Sequence, residues 1–136
     1  MKPTLQLITL CVSDYFGIEE HILFSRTRRR NVVIPRQIFQ YLACKRTSIS
    51  SAKIGEFGGY LSNYSMDHAT VLHSKKMIQN FIDIKDREIV KWVDDIDEEI
   101  SRRLHLDNPL IVTDVNLLIQ VIQHTLSLNI NRAIAI

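Results

Sequence analysis

The chain has 136 residues, 46% of them hydrophobic, and a formal net charge of +2. That length suits one domain with one core plus a short appended element, and that composition excludes an intrinsically disordered chain. Two cysteines are too few for a disulfide framework and fit a reducing cytosol. The small net charge conceals a segregation, because residues 24–82 carry ten bases against two acids and residues 83–136 carry six bases against ten acids. No acid occurs in residues 24–53. Such a basic block suits an anionic partner, nucleic acid first; a solvated basic face is the plainer alternative.

The first apolar run, "LQLITLCV", is too short to cross a membrane and has no small-residue cleavage site behind it. Leu5, Ile8, Leu10, Val12 and Tyr15-Phe16 fit an amphipathic core helix that stops near Gly17, and "IEEHILF" adds one or two further turns. Residues 25–34 then read as a bare basic loop, within "RTRRRNVVIPRQ". Pro35 suits the first position of a helix, where its missing N–H costs nothing, so a helix is predicted from Pro35 to about Lys45, with Ile38, Tyr41 and Leu42 on its apolar face.

"TSISSAKIGEFGG" offers a serine N-cap, a short helix and a stop at Gly58-Gly59. Residues 60–66 are polar and turn-like. Asp67 is a fitting N-cap for "HATVLHSKKMIQNFI", whose Val71, Ile78 and Ile82 recur at helical spacing. Asp86 is placed to cap a long helix with Ile89, Val93, Ile96, Ile100 and Leu104 on one stripe, and a last helix is expected from Thr113. Nothing alternates like a strand, so the expected fold class is all-α. Two helices joined through a glycine turn, the second capped, make a helix-turn-helix candidate with His68, Ala69 and Thr70 in the first turn of its second helix.

"VSDYFGI", the basic loop, "PRQIFQYLA", "IGEFGG" and "DHATVLHSKKMI" follow one another as in a known family. Over roughly residues 4–100 the chain resembles the C-terminal, origin-binding domain of the bacterial replication initiator DnaA. The resemblance implies a small helical bundle that reads an A·T-rich origin box through the major groove and inserts a loop arginine into the neighbouring minor groove. By motif, Arg28 matches that arginine, Arg36 and Gln37 match the major-groove pair at a helix start, and Asp67, His68 and Thr70 match the start of the recognition helix. For Arg28, Arg29 and Arg30 a purely electrostatic grip on phosphates is the alternative to insertion. Asp67 is expected to act first as a cap.

The chain departs from the family pattern in three ways. Ala69 stands where the family commonly has threonine, which removes a hydroxyl and keeps a methyl able to touch thymine. The stretch from Ile54 to Asp67 is longer, with residues 60–66 inserted in the turn itself. No G-x-x-x-x-G-K-[ST] loop is present, so the expectation is an initiator-type domain standing without an ATPase motor.

No metal site is expected, since His68 and His73 lie five apart rather than on one helix face. No nucleophile–base pair is evident, so neither catalysis nor a cofactor is expected. The expectation is a cytoplasmic, nucleoid-associated protein that binds double-stranded DNA and regulates replication initiation or transcription. The rival is an interaction module that binds the initiator or replication machinery through its acidic C-terminal half. Asp94, Asp95, Asp97, Glu98 and Glu99 are read as a solvated helix face. In residues 113–130, Asn116, Gln120, Gln123 and Ser127 form one narrow polar stripe on an otherwise apolar helix. Residues 1–104 are therefore expected to form the DNA-binding domain and residues 105–136 a helical extension that either lies in a groove of its own domain or, the favoured reading, pairs two copies as a homodimer.

Overall fold

The computed structural model describes residues 2–62, 64–107 and 122–124. The chain divides into two compact units, Met1–Ser101 and Arg102–Ile136. The described residues form helices and turns without a strand: α1 (Leu5–Phe16), α2 (Glu20–Leu23), α3 (Arg30–Arg46), α4 (Ser51–Ser62), α5 (His68–Asp83) and α6 (Arg87–Asp107). Most of residues 105–136, including the helix expected from Thr113, lie outside the described residues. Within that span Ile122, Gln123 and His124 are helical and exposed.

Local chemistry sets several boundaries. The hydroxyl of Thr4 accepts from the Leu7 N–H at 3.1 Å and opens α1. Gly17, at φ 65°, closes it, and the N–H groups of Gly17 and Ile18 both reach the Ser13 carbonyl. Asp67 caps α5, and Asp86 accepts from the Ile89 N–H at 3.0 Å at the start of α6.

The predicted start of α3 is corrected. The helix begins at Arg30, and Pro35 lies inside it. Pro35 removes one donor from the ladder, but Val32, Ile34 and Pro35 are all buried, and packing of that turn outweighs the missing bond. The basic loop is therefore shorter than residues 25–34, and Arg30 sits on a first helical turn. The expected stop at Gly58-Gly59 is corrected as well, because α4 continues through both glycines to Ser62. Tyr60, Leu61 and Ser62, expected in a turn, thus lengthen α4 instead.

Those glycines serve close approach. A Cβ on Gly55 would stand 2.0 Å from the Met66 carbonyl oxygen, and one on Gly58 would stand 3.0 Å from the Phe24 ring. Helix α3 runs through the centre of the first unit and packs against α1, α2, α4 and α5. Its Ile38, Phe39 and Leu42 are fully buried with Ile8, Val12, Leu23, Ile54, Val71 and Ile78. Phe24 meets Phe39 and Phe57 edge-on, at centroid distances of 5.0 and 5.9 Å. This aromatic cluster floors the basic loop. Helix α6 buries Ile89, Val93, Ile96 and Ile100 of the stripe its spacing predicted, and Leu104 is half-buried.

Substituting alanine for Gly55 tests the close approach. The added methyl must displace the chain at Met66, and overpacking of this kind costs about 1–3 kcal/mol. Urea unfolding of Gly55→Ala is expected to show that loss, whereas an unchanged midpoint would show that the turn yields freely.

Candidate nucleic-acid interface

Two exposed groups of side chains carry the chemistry. The first is the loop after α2 together with the first turn of α3, where Arg26, Arg28, Arg29 and Arg30 are all exposed. The second is the start of α5, where Asp67, His68, Ala69 and Thr70 are exposed in succession.

Asp67 closes that helix end tightly. Its Oδ1 accepts from both the main-chain N–H and the hydroxyl of Thr70, each at 2.8 Å. These two bonds, the N–H first, hold its carboxyl below the usual carboxylate range, helped by His68. The Thr70 hydroxyl points inward to the cap and keeps its lone pairs for an outside donor. His68, Ala69 and Thr70 thus all face solvent in the first turn, at the positive end of the helix dipole.

Arg36 departs from the sequence-based expectation. It is 7% exposed, although a pair with Gln37 at a helix start would present it to DNA. Its Nε donates to the Leu23 carbonyl at 2.7 Å, and its Nη2 donates to those of Ser25 at 2.6 Å and Thr27 at 3.4 Å. Burial pushes the guanidinium below its ordinary pKa, with an opposing contribution from Tyr64, but arginine stays charged in proteins. Leu23 ends α2, so Arg36 satisfies carbonyls a short helix leaves open. Gln37 is half-buried beside it. The difference in placement has a traceable source. With the helix started at Arg30, Arg36 lies four residues after Val32 and three before Phe39, both buried. Started at Pro35, the same residue reads as an exposed first-turn arginine.

Sequence reasoning passed over Arg26 and Tyr64. The Arg26 guanidinium carbon lies 5.0 Å from the centroid of the Tyr64 ring, joining the basic loop to the turn before α5. The Ser62 hydroxyl at the end of α4 donates to the Phe24 carbonyl at 2.7 Å, at the end of α2 just before the loop. Tyr64 and Ser62 thus link the loop region to the segment that leads into α5. His73, Lys75 and Lys76 extend the exposed polar face of α5.

The acidic cluster of α6 is less free than a solvated face. Asp97 accepts from Arg46 of α3 at 2.6 Å, and Asp95 accepts from Tyr15 of α1 at 2.6 Å and from Lys91 at 2.8 Å. Lys91 and then Tyr15 hold the Asp95 carboxyl below the usual range. Asp94 and Glu98 remain exposed.

Comparison with known proteins adds independent findings. The family described as the bacterial dnaA protein helix-turn-helix matches residues 5–78. The chromosomal replication initiator protein DnaA of Flavobacterium psychrophilum is 39% identical over 100 residues, which cover 74% of this chain and 20% of that protein. The chain therefore spans about a fifth of the length of that relative.

The position of Arg36 yields a direct test. Arg36→Ala strands buried carbonyls and is expected to cost about 2 kcal/mol or more and to speed tryptic cleavage in residues 26–30. Unchanged stability and cleavage, with a loss confined to a preferred duplex, would return Arg36 to base readout.

Proposed function

The chain belongs to the bacterial DnaA helix-turn-helix family, and from that premise we propose that it binds a short A·T-rich box in double-stranded DNA. In this reading the start of α5 enters the major groove, with His68, Ala69 and Thr70 against base edges and Asp67 holding the turn. Arg28 enters the adjacent minor groove, whose negative potential is deepest over narrow A·T tracts. Arg29 and Arg30 lie along the phosphates. Gln37, half-buried at the foot of the loop, is a minor contact. Arg36 contributes by shaping the loop, since its N–H groups are already turned toward main-chain carbonyls.

The observation that carries this reading is the joining of an exposed arginine loop, held by Tyr64 under Arg26, to a capped, exposed helix start. The family's helix-turn-helix is a non-catalytic fold, so binding is the activity proposed, with an output in replication initiation or in transcription from similar sites. Among the described residues no helix is long and apolar enough to cross a membrane, in keeping with a proposed place on the nucleoid. Docking on replication proteins through the acidic half has less to work with, because Asp95 and Asp97 are already paired within the chain.

Selection from a random duplex pool at several salt concentrations tests the proposal. An A·T-rich box should be enriched, and affinity should fall with salt at about −0.9 per phosphate neutralised in the logarithmic slope. Arg28→Lys keeps the charge and is expected to weaken the preference for A·T flanks while leaving that slope nearly unchanged. Binding that ignores both sequence and salt would sink the reading.

We further propose that residues 105–136 pair two copies, so that two DNA-binding units meet two boxes. Light scattering of the full chain at micromolar concentration is expected to give a dimer, and a chain ended at Leu104 a monomer. A full-length monomer overturns this, and a dimer that survives the truncation moves the interface elsewhere.

A further inference from the structure

Residues 60–66 are the stretch that the sequence marks as an insertion relative to the family pattern, and Ser62, Tyr64 and Met66 within it make contacts in several directions. Ser62 bonds the Phe24 carbonyl. The Met66 N–H donates to the Gly55 carbonyl of α4 at 3.1 Å, and its sulfur accepts from Gln40 Nε2 of α3 at 3.1 Å. Between them the half-buried Tyr64 sets its ring beneath the Arg26 guanidinium at 5.0 Å. The next residue after the stretch is Asp67, which starts α5. One short segment is therefore tied to α3, to α4, to the basic loop and to the helix that the loop accompanies.

The choice of an aromatic partner matters. A carboxylate beside Arg26 would hold it equally well but would cancel the charge and repel a phosphate. The face of a tyrosine attracts a guanidinium through its quadrupole and adds no net charge. Arg26 is thereby ordered while its full positive charge stays exposed, and the entropy of ordering a long side chain is spent before any partner arrives.

We infer that Arg26 is a further phosphate contact of the duplex and that Tyr64, from the inserted turn, is the residue that positions it. This rests on the DNA-binding reading above and deepens it. The insertion then acts as a clamp that widens the footprint beyond the loop arginines matched by motif, and it couples the loop to α5.

Duplex affinity of the full chain across a salt series decides the matter, using wild type, Arg26→Ala, Tyr64→Ala, the double variant, Tyr64→Phe and Tyr64→Leu. Arg26→Ala is expected to lower the magnitude of the salt slope by about 1. Tyr64→Ala is expected to weaken binding roughly two- to five-fold, the scale of one exposed cation–π contact. The double variant should bind no worse than Arg26→Ala, Tyr64→Phe should restore binding, and Tyr64→Leu should not. Thermal melts identify any misfolded variant, and should Tyr64→Ala be one, the leucine–phenylalanine pair carries the comparison. Additive losses, an unchanged slope in Arg26→Ala, or leucine serving as well as phenylalanine would overturn the clamp while wild type still binds. Failure of wild type to bind duplex DNA would overturn the clamp and the DNA-binding reading together.

Discussion

Taking a guanidinium out of water costs several kcal/mol unless its donors find acceptors, and here three main-chain carbonyls supply them. Arg36 reaches back from α3 to Leu23, Ser25 and Thr27. A carboxylate partner would have removed the charge from the site, whereas carbonyl dipoles leave it in place. The chain from residue 23 to residue 27 is pulled onto α3, and the arginines that follow must project outward from it. The rest of the basic surface is arranged around that grip.

The packing beneath the loop makes the grip durable. Phe24 sits against Phe39 and Phe57, and its ring comes so near α4 that a Cβ at residue 58 would meet it at 3.0 Å. Three glycines inside or at the end of α4 sacrifice helix propensity, roughly 1 kcal/mol each against alanine, for proximity to Phe24, Ser65 and Met66. Proximity is what the site needs, because the turn after α4 sets where α5 begins. Packing therefore determines how far the capped start of α5 stands from the loop.

Charge is segregated in the folded unit as it is along the chain. The acids of α6 turn in part toward the protein, where Asp97 holds Arg46 and Asp95 holds Tyr15 and Lys91. Such partly exposed pairs stabilise little by themselves. They do fasten α6 to α1 and α3 with groups that would otherwise oppose an anionic partner. The bases of residues 26–30 face solvent, apart from the contact between Arg26 and Tyr64.

Read without any structure, the sequence determined the helical class, the stop at Gly17, the caps Asp67 and Asp86 and the buried stripe of α6. It also carried the family motifs. Each of these depends on a residue and its neighbours within a turn or two, so local spacing and side-chain chemistry suffice. The start of α3, the passage of α4 through Gly58-Gly59, the burial of Arg36 and the meeting of Arg26 with Tyr64 were decided by tertiary structure. Pro35 reads as a helix start until burial of the turn before it outweighs one lost hydrogen bond. Gly58 reads as a stop until α4 packs against the Phe24 ring and runs on to Ser62. Arg36 reads as exposed until carbonyls nine to thirteen residues away claim its guanidinium. In every such case the partner lies far along the chain, and a side chain's role follows from what the fold brings against it.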